Sequence, residues 1–512
     1  MIGFIFESKE LEERFSWIVN NFFSACGLTI NFNDENNLFI YYGKEYRKIN
    51  GKPTIFIPSV DVNDFNLSLK KFGRKEILLL EKSFYDENKE YSVPFDIFLN
   101  MEYFLNLNEE KYKSANKSWG VDSPRYKTKF LNIAVVESYV DCFFPILEKA
   151  AKKEKLPIPY KKRWPNDAKY AVCLTHDIDN FYESNLLLSI KYFFKSVSSF
   201  SPFSIVNSLG FVKKSFISSL IGKPTKILHY FNEMKEMENK HGVKSTYFFI
   251  PLRDNSRYAE HYDVYDKNVA LEIKKLIENG FGVGVHSSFN SFNNFKRLKY
   301  ESDSLFSRFN IKTKGMRAHY LHVDRNSLAN FASAEFNYDT SFGYNDIMGF
   351  RIGSSLPIFY ENKVFELPQI IMDNHFYEFF EVNSNIYFNE KKEDNDANRW
   401  NLFLKVLKNI YVNNGLLTIN WHNISFSKGN EKGAFFEKML VNFKKDKAFI
   451  ANADYIYGWW VDRDAVKLDC IKKGRQTKFA AISEKNIENL CIGFIGSSKK
   501  KTLKIKKGRN YF

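Results

Sequence analysis

Three ionisable side chains, His176, Asp177 and Asp179, stand at the end of the apolar run "YAVCLT", Tyr170–Thr175. Such a run reads as a buried β-strand, yet carboxylates and imidazoles resist burial unless they are paired or bind metal. The conflict resolves if the strand is covered along its length and its tip opens into a polar site. Other strand-like runs end in the same residue types. "FGVGV" leads into His286, "KGMRAHY" carries Arg317, His319 and Tyr320, and "FNYDTS" holds Asp339. "VFELPQII" leads to Asp373, and "LLTINW" to His422. The chain has only 9 histidines, and His176, His286, His319 and His422 all fall at these ends. Any one of them alone reads as a hydrogen-bonded structural histidine; together at one edge they point to a site. Carboxylates with imidazoles suit a borderline divalent ion such as Zn²⁺ without thiolates. Three protein ligands leave a position for water, whose pKa such an ion lowers toward about 7. A spare carboxylate can then take a proton from water, and a separate imidazole can protonate a leaving group.

The elements that must position these residues alternate. Between the apolar runs lie helical stretches such as "DKNVALEIKKLIENG", "NFKRLKYESDSLFSRF" and "NRWNLFLKVLKNIYVNNG". Asp266 and Asp324 read as N-caps, and Gly242, Gly280 and Gly415 as helix terminators. With "KSTYFFI" the runs make seven strands, which alternate mostly with helices and predict parallel βα units, as a barrel or an open sheet. In such folds the C-terminal strand ends form the active face. This region is expected over residues 169–460. Ahead of it, residues 1–160 mix short strands with amphipathic stretches and read as an α+β N-terminal domain. The proline-bearing "KLPIPYKKRWPNDAKY" reads as a linker. Residues 183–223 are apolar, aromatic, serine-rich and basic, the pattern of a helical insertion, a lid or a membrane-surface segment. Residues 466–512 read as a small, basic, β-rich appendage.

Composition narrows the classes. At 512 residues the chain exceeds one ordinary core, so two or three domains are expected. Hydrophobic residues at 44% and charged residues at 26% describe a soluble globular protein. The formal charge of +15 gathers partly in "SSKKKTLKIKKGR", a solvated tail with membrane-surface or polyanion contact as the alternatives. No base-reading module accompanies it, so no specific nucleic-acid partner is expected. The 5 cysteines are scattered without a CxxC pair, which fits a reducing compartment. The N-terminus lacks the pattern of a signal peptide, and no apolar run reaches about 18 residues. The expected location is cytoplasmic, with peripheral membrane contact as an option.

The stretch from Lys169 to His422 resembles the polysaccharide deacetylases, the carbohydrate esterase family 4 type. The resemblance implies a distorted (β/α)7 barrel and a divalent metal, with zinc expected. "THDID" resembles the family's first motif and implies Asp177 as base and Asp179 as metal ligand. His286 matches the metal histidine of the second motif. "RAHY" matches R-x-P-Y, implying that Arg317 orients the base and that a backbone N–H near Tyr320 stabilises the oxyanion. His422 matches the acid histidine. "YDTSFGYNDIMGFRIGSSLPI" resembles the middle of a bacterial subgroup with an extra N-terminal domain, in which Arg351 would grip substrate. Two positions depart from the pattern. Asn290 stands where a second metal histidine is usual, and His319 replaces the proline of R-x-P-Y. Alternate side chains on a strand share a face, so His319 is read as the replacement ligand beside Arg317, while His176 faces away. Asp373, grouped with Arg351 at the substrate side, is expected to orient His422, with Asp339 as its rival. Trp164, Trp421, Trp459 and Trp460 read either as sugar-stacking platforms or as core. The implied activity is removal of acetyl groups, N-acetyl foremost, from a sugar or surface polysaccharide precursor. The alternative is a catalytically inactive glycan-binding or scaffold protein of a polysaccharide pathway.

Overall fold

The computed structural model describes the chain except residues 1, 33–35, 64, 73–74, 86–89, 113–120, 127, 182–229, 253–261, 361–363, 428 and 474–475. The expected insertion at 183–223 lies outside the described residues. At the N-terminus, β1 (Ile2–Phe6), β2 (Ile30–Asn31), β3 (Leu38–Gly43) and β4 (Thr54–Pro58) form a sheet in the order β2-β1-β3-β4. All its pairings are parallel, so this part is α/β in character rather than the α+β expected. Helices Lys9–Cys26, Ile97–Leu105 and Val135–Lys153 pack with one another beside it. Two hairpins follow, β5 (Leu67–Phe72) with β6 (Lys75–Leu80) and β7 (Lys111–Tyr112) with β8 (Val121–Asp122).

The proline-bearing stretch is not a loose linker. It contains β9 (Pro159–Lys161), and the Trp164 ring is buried with its Nε1–H donating to the Asn414 carbonyl at 2.8 Å.

The central sheet carries the site. Its strands are β10 (Ala171–Ile178), β11 (Thr246–Phe249), β12 (Gly282–Ser287), β13 (Gly315–Ala318), β14 (Tyr338–Asp339), β15 (Ile358–Phe359), β16 (Phe365–Glu366), β17 (Gln369–Met372), β18 (Leu416–Asn420) and β19 (Phe449–Ala451). They run in the order β15-β16-β14-β13-β12-β11-β10-β18-β17, with β19 also paired to β10, and only β15 with β16 is antiparallel. Every residue of β10 is buried, as expected of a parallel strand covered on both faces. Helices Lys267–Glu278, Phe295–Phe309, Asp396–Val412 and Glu431–Lys445 each turn an apolar face inward. Burying each large apolar side chain favours the fold by about 1.5–3 kcal/mol.

One expected strand splits. "VFELPQII" becomes β16, next to one end of the sheet order, and β17, at the other end, with only Leu367 and Pro368 between them. The sheet must therefore curl until its ends nearly meet. Pro368 has no N–H to give a ladder, and the hydrogen-bonded circuit stays open there. The result is a curled, open sheet of parallel βα units; the distorted (β/α)7 barrel implied by the resemblance is met in this character but not in its strand count or closure.

Asp266 caps its helix through the Asn268 N–H at 2.8 Å. Asp324 does not cap directly; it accepts from the Asn326 N–H at 2.8 Å and from the Ser327 hydroxyl. Gly242 and Gly280 take positive φ after their helices, but before Gly415 it is Asn414, at φ 48°, that does so. The C-terminal strands are β20 (Lys467–Lys473), β21 (Gln476–Ser483), β22 (Ile487–Phe494), β23 (Ser497–Ile505) and β24 (Gly508–Tyr511). They form two sheets, β20-β21-β24 and β23-β22-β9.

The N-terminal part is fastened to the central sheet by buried ion pairs. Arg125 Nε donates to Glu109 Oε1 at 2.8 Å, and its two Nη groups donate to the carbonyls of Phe350 and Arg351 at 2.9 and 2.6 Å. Arg351 pairs with Glu110 at 2.8 and 2.9 Å. The Glu137 carboxylate accepts from Ser354 and Ser355 at 2.6–3.1 Å. Both side chains of the Arg125–Glu109 pair are fully buried, so removing one strands the other. Glu109→Ala is expected to cost about 3–5 kcal/mol in urea unfolding, while Lys44→Ala, which breaks the exposed Lys44–Asp61 pair, should leave the midpoint unchanged.

Candidate active site

The site forms where β10, β12, β13 and β18 end together. Asp177 is buried, and both its oxygens are held. Arg317 Nη1 donates to Oδ1 at 2.9 Å, and Asn420 Nδ2 donates to Oδ2 at 2.7 Å. Arg317 is in turn fixed by the Thr340 carbonyl at 3.2 Å and lies 4.8 Å above the Phe248 ring. That ring fills space that only a glycine leaves open, since a Cβ on Gly284 would come within 2.5 Å of it.

Asp179 sits at the centre. Its Oδ1 lies 3.3 Å from His286 Nε2 and 3.8 Å from His319 Nε2, and its Oδ2 lies 3.7 Å from His422 Nε2. His286 donates its Nδ1–H to the Arg317 carbonyl at 2.9 Å. This bond makes Nδ1 the donor, so Nε2 faces the Asp179 carboxylate; burial opposes its protonation, Asp177 and Asp179 favour it, and only a neutral ring would turn a lone pair there. Two electron-rich atoms would then face each other, which requires a proton or a cation between them. Asp179 Oδ1 is itself buried without a hydrogen-bond partner. Ligand atoms of Asp179, His286 and His319 all lie within 4.8 Å of one another. One carboxylate and two imidazoles so placed fit a divalent cation of the zinc type.

His319 reaches this point differently from the strand alternation expected. β13 stops at Ala318, and His319–Leu321 forms a short turn in which Tyr320 and Leu321 have φ of 59° and 50°. Left-handed backbone at non-glycine residues costs roughly 1–3 kcal/mol each. Here it is held by the Ser341 hydroxyl, which accepts the Ala318 N–H at 2.7 Å, and by Asn345 Nδ2, which donates to the Tyr320 carbonyl. Tyr320 is 43% exposed and lines the cavity.

On the opposite wall, His422 Nδ1–H donates to Asp373 Oδ1 at 2.6 Å, and the His422 backbone N–H donates to Asp373 Oδ2 at 3.2 Å. The Ser425 hydroxyl also donates to Oδ2. Asp339, the rival for this place, is bonded instead to Ser341 on the far side of Arg317.

The charges follow from these contacts. Burial alone would raise the Asp177 carboxyl, but Arg317, His286 and His422 outweigh it and hold it below the usual range. Asp179 is likewise held far down, burial being overcome by the three imidazoles. Burial opposes protonation of His422, yet Asp373 overrides it and lifts the ring to about 10. Asp373 falls to about 2 against its burial, through His422. His319 is depressed to about 4, first by burial and then by His286. It is therefore a neutral imidazole near pH 7, the form that ligates metal.

The cavity is about 170 Å³ and is lined by these groups together with Asn345, Asn374, Leu321 and Met372. A second hollow of about 180 Å³ continues past His422 and Asp373 to Lys432 and Glu378. Asn420 and Asn345 were missed in the sequence; only their places beside a strand end and a polar loop hinted at them.

Several expected residues lie elsewhere. Arg351 is buried, and its donors go to Glu110, the Gly343 carbonyl and the Val323 carbonyl. It does not line the cavity, and its reading as a substrate grip is withdrawn. His176 points away, with Nδ1 2.6 Å from the Trp421 carbonyl and Nε2 2.9 Å from Glu238. Asn290 is exposed. Trp164, Trp421, Trp459 and Trp460 are core side chains, Trp421 stacking on Phe435, and none lines either hollow. No helix among the described residues is long and apolar enough to cross a membrane.

This geometry predicts that one equivalent of Co²⁺ or Zn²⁺ binds. Affinity should vanish in His286→Ala and fall in His319→Ala, with Asn290→Ala unchanged, as read by calorimetry or Co²⁺ absorption.

Proposed function

In the solved structures, the chain is similar to a protein named as a polysaccharide deacetylase from Pseudomonas aeruginosa PAO1, at 13% identity and a TM-score of 0.39 over 59% of this chain and 93% of that one. A protein given the same activity from Mycobacterium smegmatis matches at 14% identity and a TM-score of 0.37, over 58% and 91%. The Puue allantoinase matches at 11% identity and 0.38, over 59% and 93%. These are loose likenesses of chain path. No protein-family model and no curated protein matches the sequence.

We propose that the protein is a divalent-metal-dependent hydrolase that removes acetyl groups from an acetylated sugar or a surface-polysaccharide precursor. One observation carries this reading. Asp179, His286 and His319 converge beside a separate Asp177 paired with Arg317, with His422 on its Asp373 partner across the same small cavity. A divalent ion held by those three ligands supplies Lewis-acid polarisation of a carbonyl and makes water more acidic.

The chain's own residues do the rest. Asp177, deprotonated and oriented by Arg317 and Asn420, accepts the proton of the attacking water. The turn at Tyr320 offers backbone N–H to the oxyanion that develops, a donor already fixed in place by the fold. Leu321 and Met372 give the acetyl methyl group an apolar seat. His422, anchored on Asp373, gives its Nε2 proton to the leaving amine or alcohol. The hollow beyond His422 offers the departing sugar amide and charged side chains rather than an aromatic platform.

Acetate release from N-acetyl chitooligosaccharides and from acetylated surface-glycan precursors, measured with added Zn²⁺ or Co²⁺, tests the reading. Asp177→Asn should lose about 10²–10⁴-fold in kcat; full activity in that variant would overturn the base assignment.

The pH profile gives a second test. A general acid works while protonated, so the raised His422 places the alkaline fall well above neutrality. Asp373→Asn removes the carboxylate that raises it, and the alkaline limb should move down by about 1–3 pH units. An unmoved limb would mean that His422 is not the acid.

A further inference from the structure

Behind Arg317, away from the cavity, two acids stand side by side. Asp339 on β14 and Glu366 on β16 are register partners on adjacent parallel strands, and both are fully buried. One oxygen of each is satisfied. Asp339 Oδ1 accepts the Ser341 hydroxyl, and Glu366 Oε1 accepts the Phe342 N–H at 3.0 Å. The other two, Asp339 Oδ2 and Glu366 Oε2, are buried with no donor, on side chains that the strand register sets next to each other. The charged and titratable neighbours are few. Arg317 on β13 faces the pair; it gives Nη1 to Asp177 and Nε to the Thr340 carbonyl, and its Nη2 is buried without bonding either acid, while Tyr360 beside β15 donates its hydroxyl to the Leu105 carbonyl. Two bare carboxylates in such surroundings repel each other strongly.

We propose that Asp339 and Glu366 share one proton between Oδ2 and Oε2, and that the pair positions the turn bearing His319 and Tyr320. A proton there supplies the missing donor for both orphan oxygens at once. It leaves the pair with one negative charge, so that with Asp177 and Arg317 the cluster carries a net single negative charge instead of two. The route to the site is short. A hydroxyl has one proton. Ser341 gives its proton to Asp339, so its oxygen must accept the Ala318 N–H at the root of the turn. Asp339 and Glu366 touch neither the cavity nor the proposed ligands, and act through Ser341 and Phe342. The functional consequence rests on the metal-hydrolase reading; the shared proton does not.

Glu366→Gln mimics the protonated acid, because its amide can donate to Asp339 Oδ2 while its carbonyl accepts the Phe342 N–H. Glu366→Ala does neither. In an infrared difference spectrum at neutral pH, wild type minus Glu366→Gln, the carbonyl band of one protonated carboxyl should be lost. Co²⁺ titration should show affinity about tenfold or more weaker in Glu366→Ala and restored in Glu366→Gln. A spectrum with no carboxylic-acid band lost would overturn the shared proton, and equal weakening in both variants would overturn the positioning role. If Glu366→Ala does not fold, the infrared result decides. If the wild type binds Co²⁺ but releases no acetate, the deacetylase reading fails and this one stands. If it binds no Co²⁺, the ring-nitrogen NMR shift of His319, moved in Glu366→Ala and restored in Glu366→Gln, replaces the titration.

Discussion

The hydrogen bond from His286 Nδ1 to the Arg317 carbonyl governs the centre of this protein. Because a carbonyl can only accept, Nδ1 keeps its hydrogen and Nε2 is turned to Asp179, where a neutral ring would set a lone pair against the carboxylate until a proton or a cation joins them. The same peptide places the Arg317 guanidinium on Asp177. One residue of β13 therefore sets the tautomer of one imidazole through its backbone and the ionisation of a carboxylate through its side chain. The neighbouring strands β12 and β13 bring His286 and Arg317 into direct register, so the two tasks cannot drift apart.

Around that bond, buried charge is balanced by short pairings more than by solvent. Asp177 has Arg317 and Asn420; His422 has Asp373, itself anchored by Ser425 and the His422 backbone. Such networks contribute little net stability compared with apolar packing, but they determine geometry. Here they separate one carboxylate kept anionic from one imidazole kept cationic across a single cavity, the division of labour that acid–base chemistry requires.

The strand tips were legible because chemistry-bearing residues at the ends of apolar runs conflict with burial, and the conflict has few resolutions. His286, Arg317 and His422 stand out for this reason, as does the direction of His176, which follows from alternation. Other features depended on partners remote in the chain. The substrate-grip reading of Arg351 rested on the resemblance, and only the fold brings Glu110 to it from 241 residues away. Asn420 is an ordinary amide until Asp177 lies beside it. The break at Pro368 was signalled, since a proline inside a strand-like run argues against one continuous strand, but the destination of its two halves is a property of the curled sheet. Glu366, an acid within that run, gave the same kind of warning as Asp177.

The Arg125–Glu109 and Arg351–Glu110 pairs bear on how the chain is made. On the ribosome, the first 160 residues emerge long before Phe350 and Arg351, whose carbonyls and guanidinium complete those pairs. β9 likewise waits for β22. The leading segment cannot reach its final state as an independent unit during synthesis. Its early apolar surfaces must be tolerated, or chaperoned, until the last strands arrive.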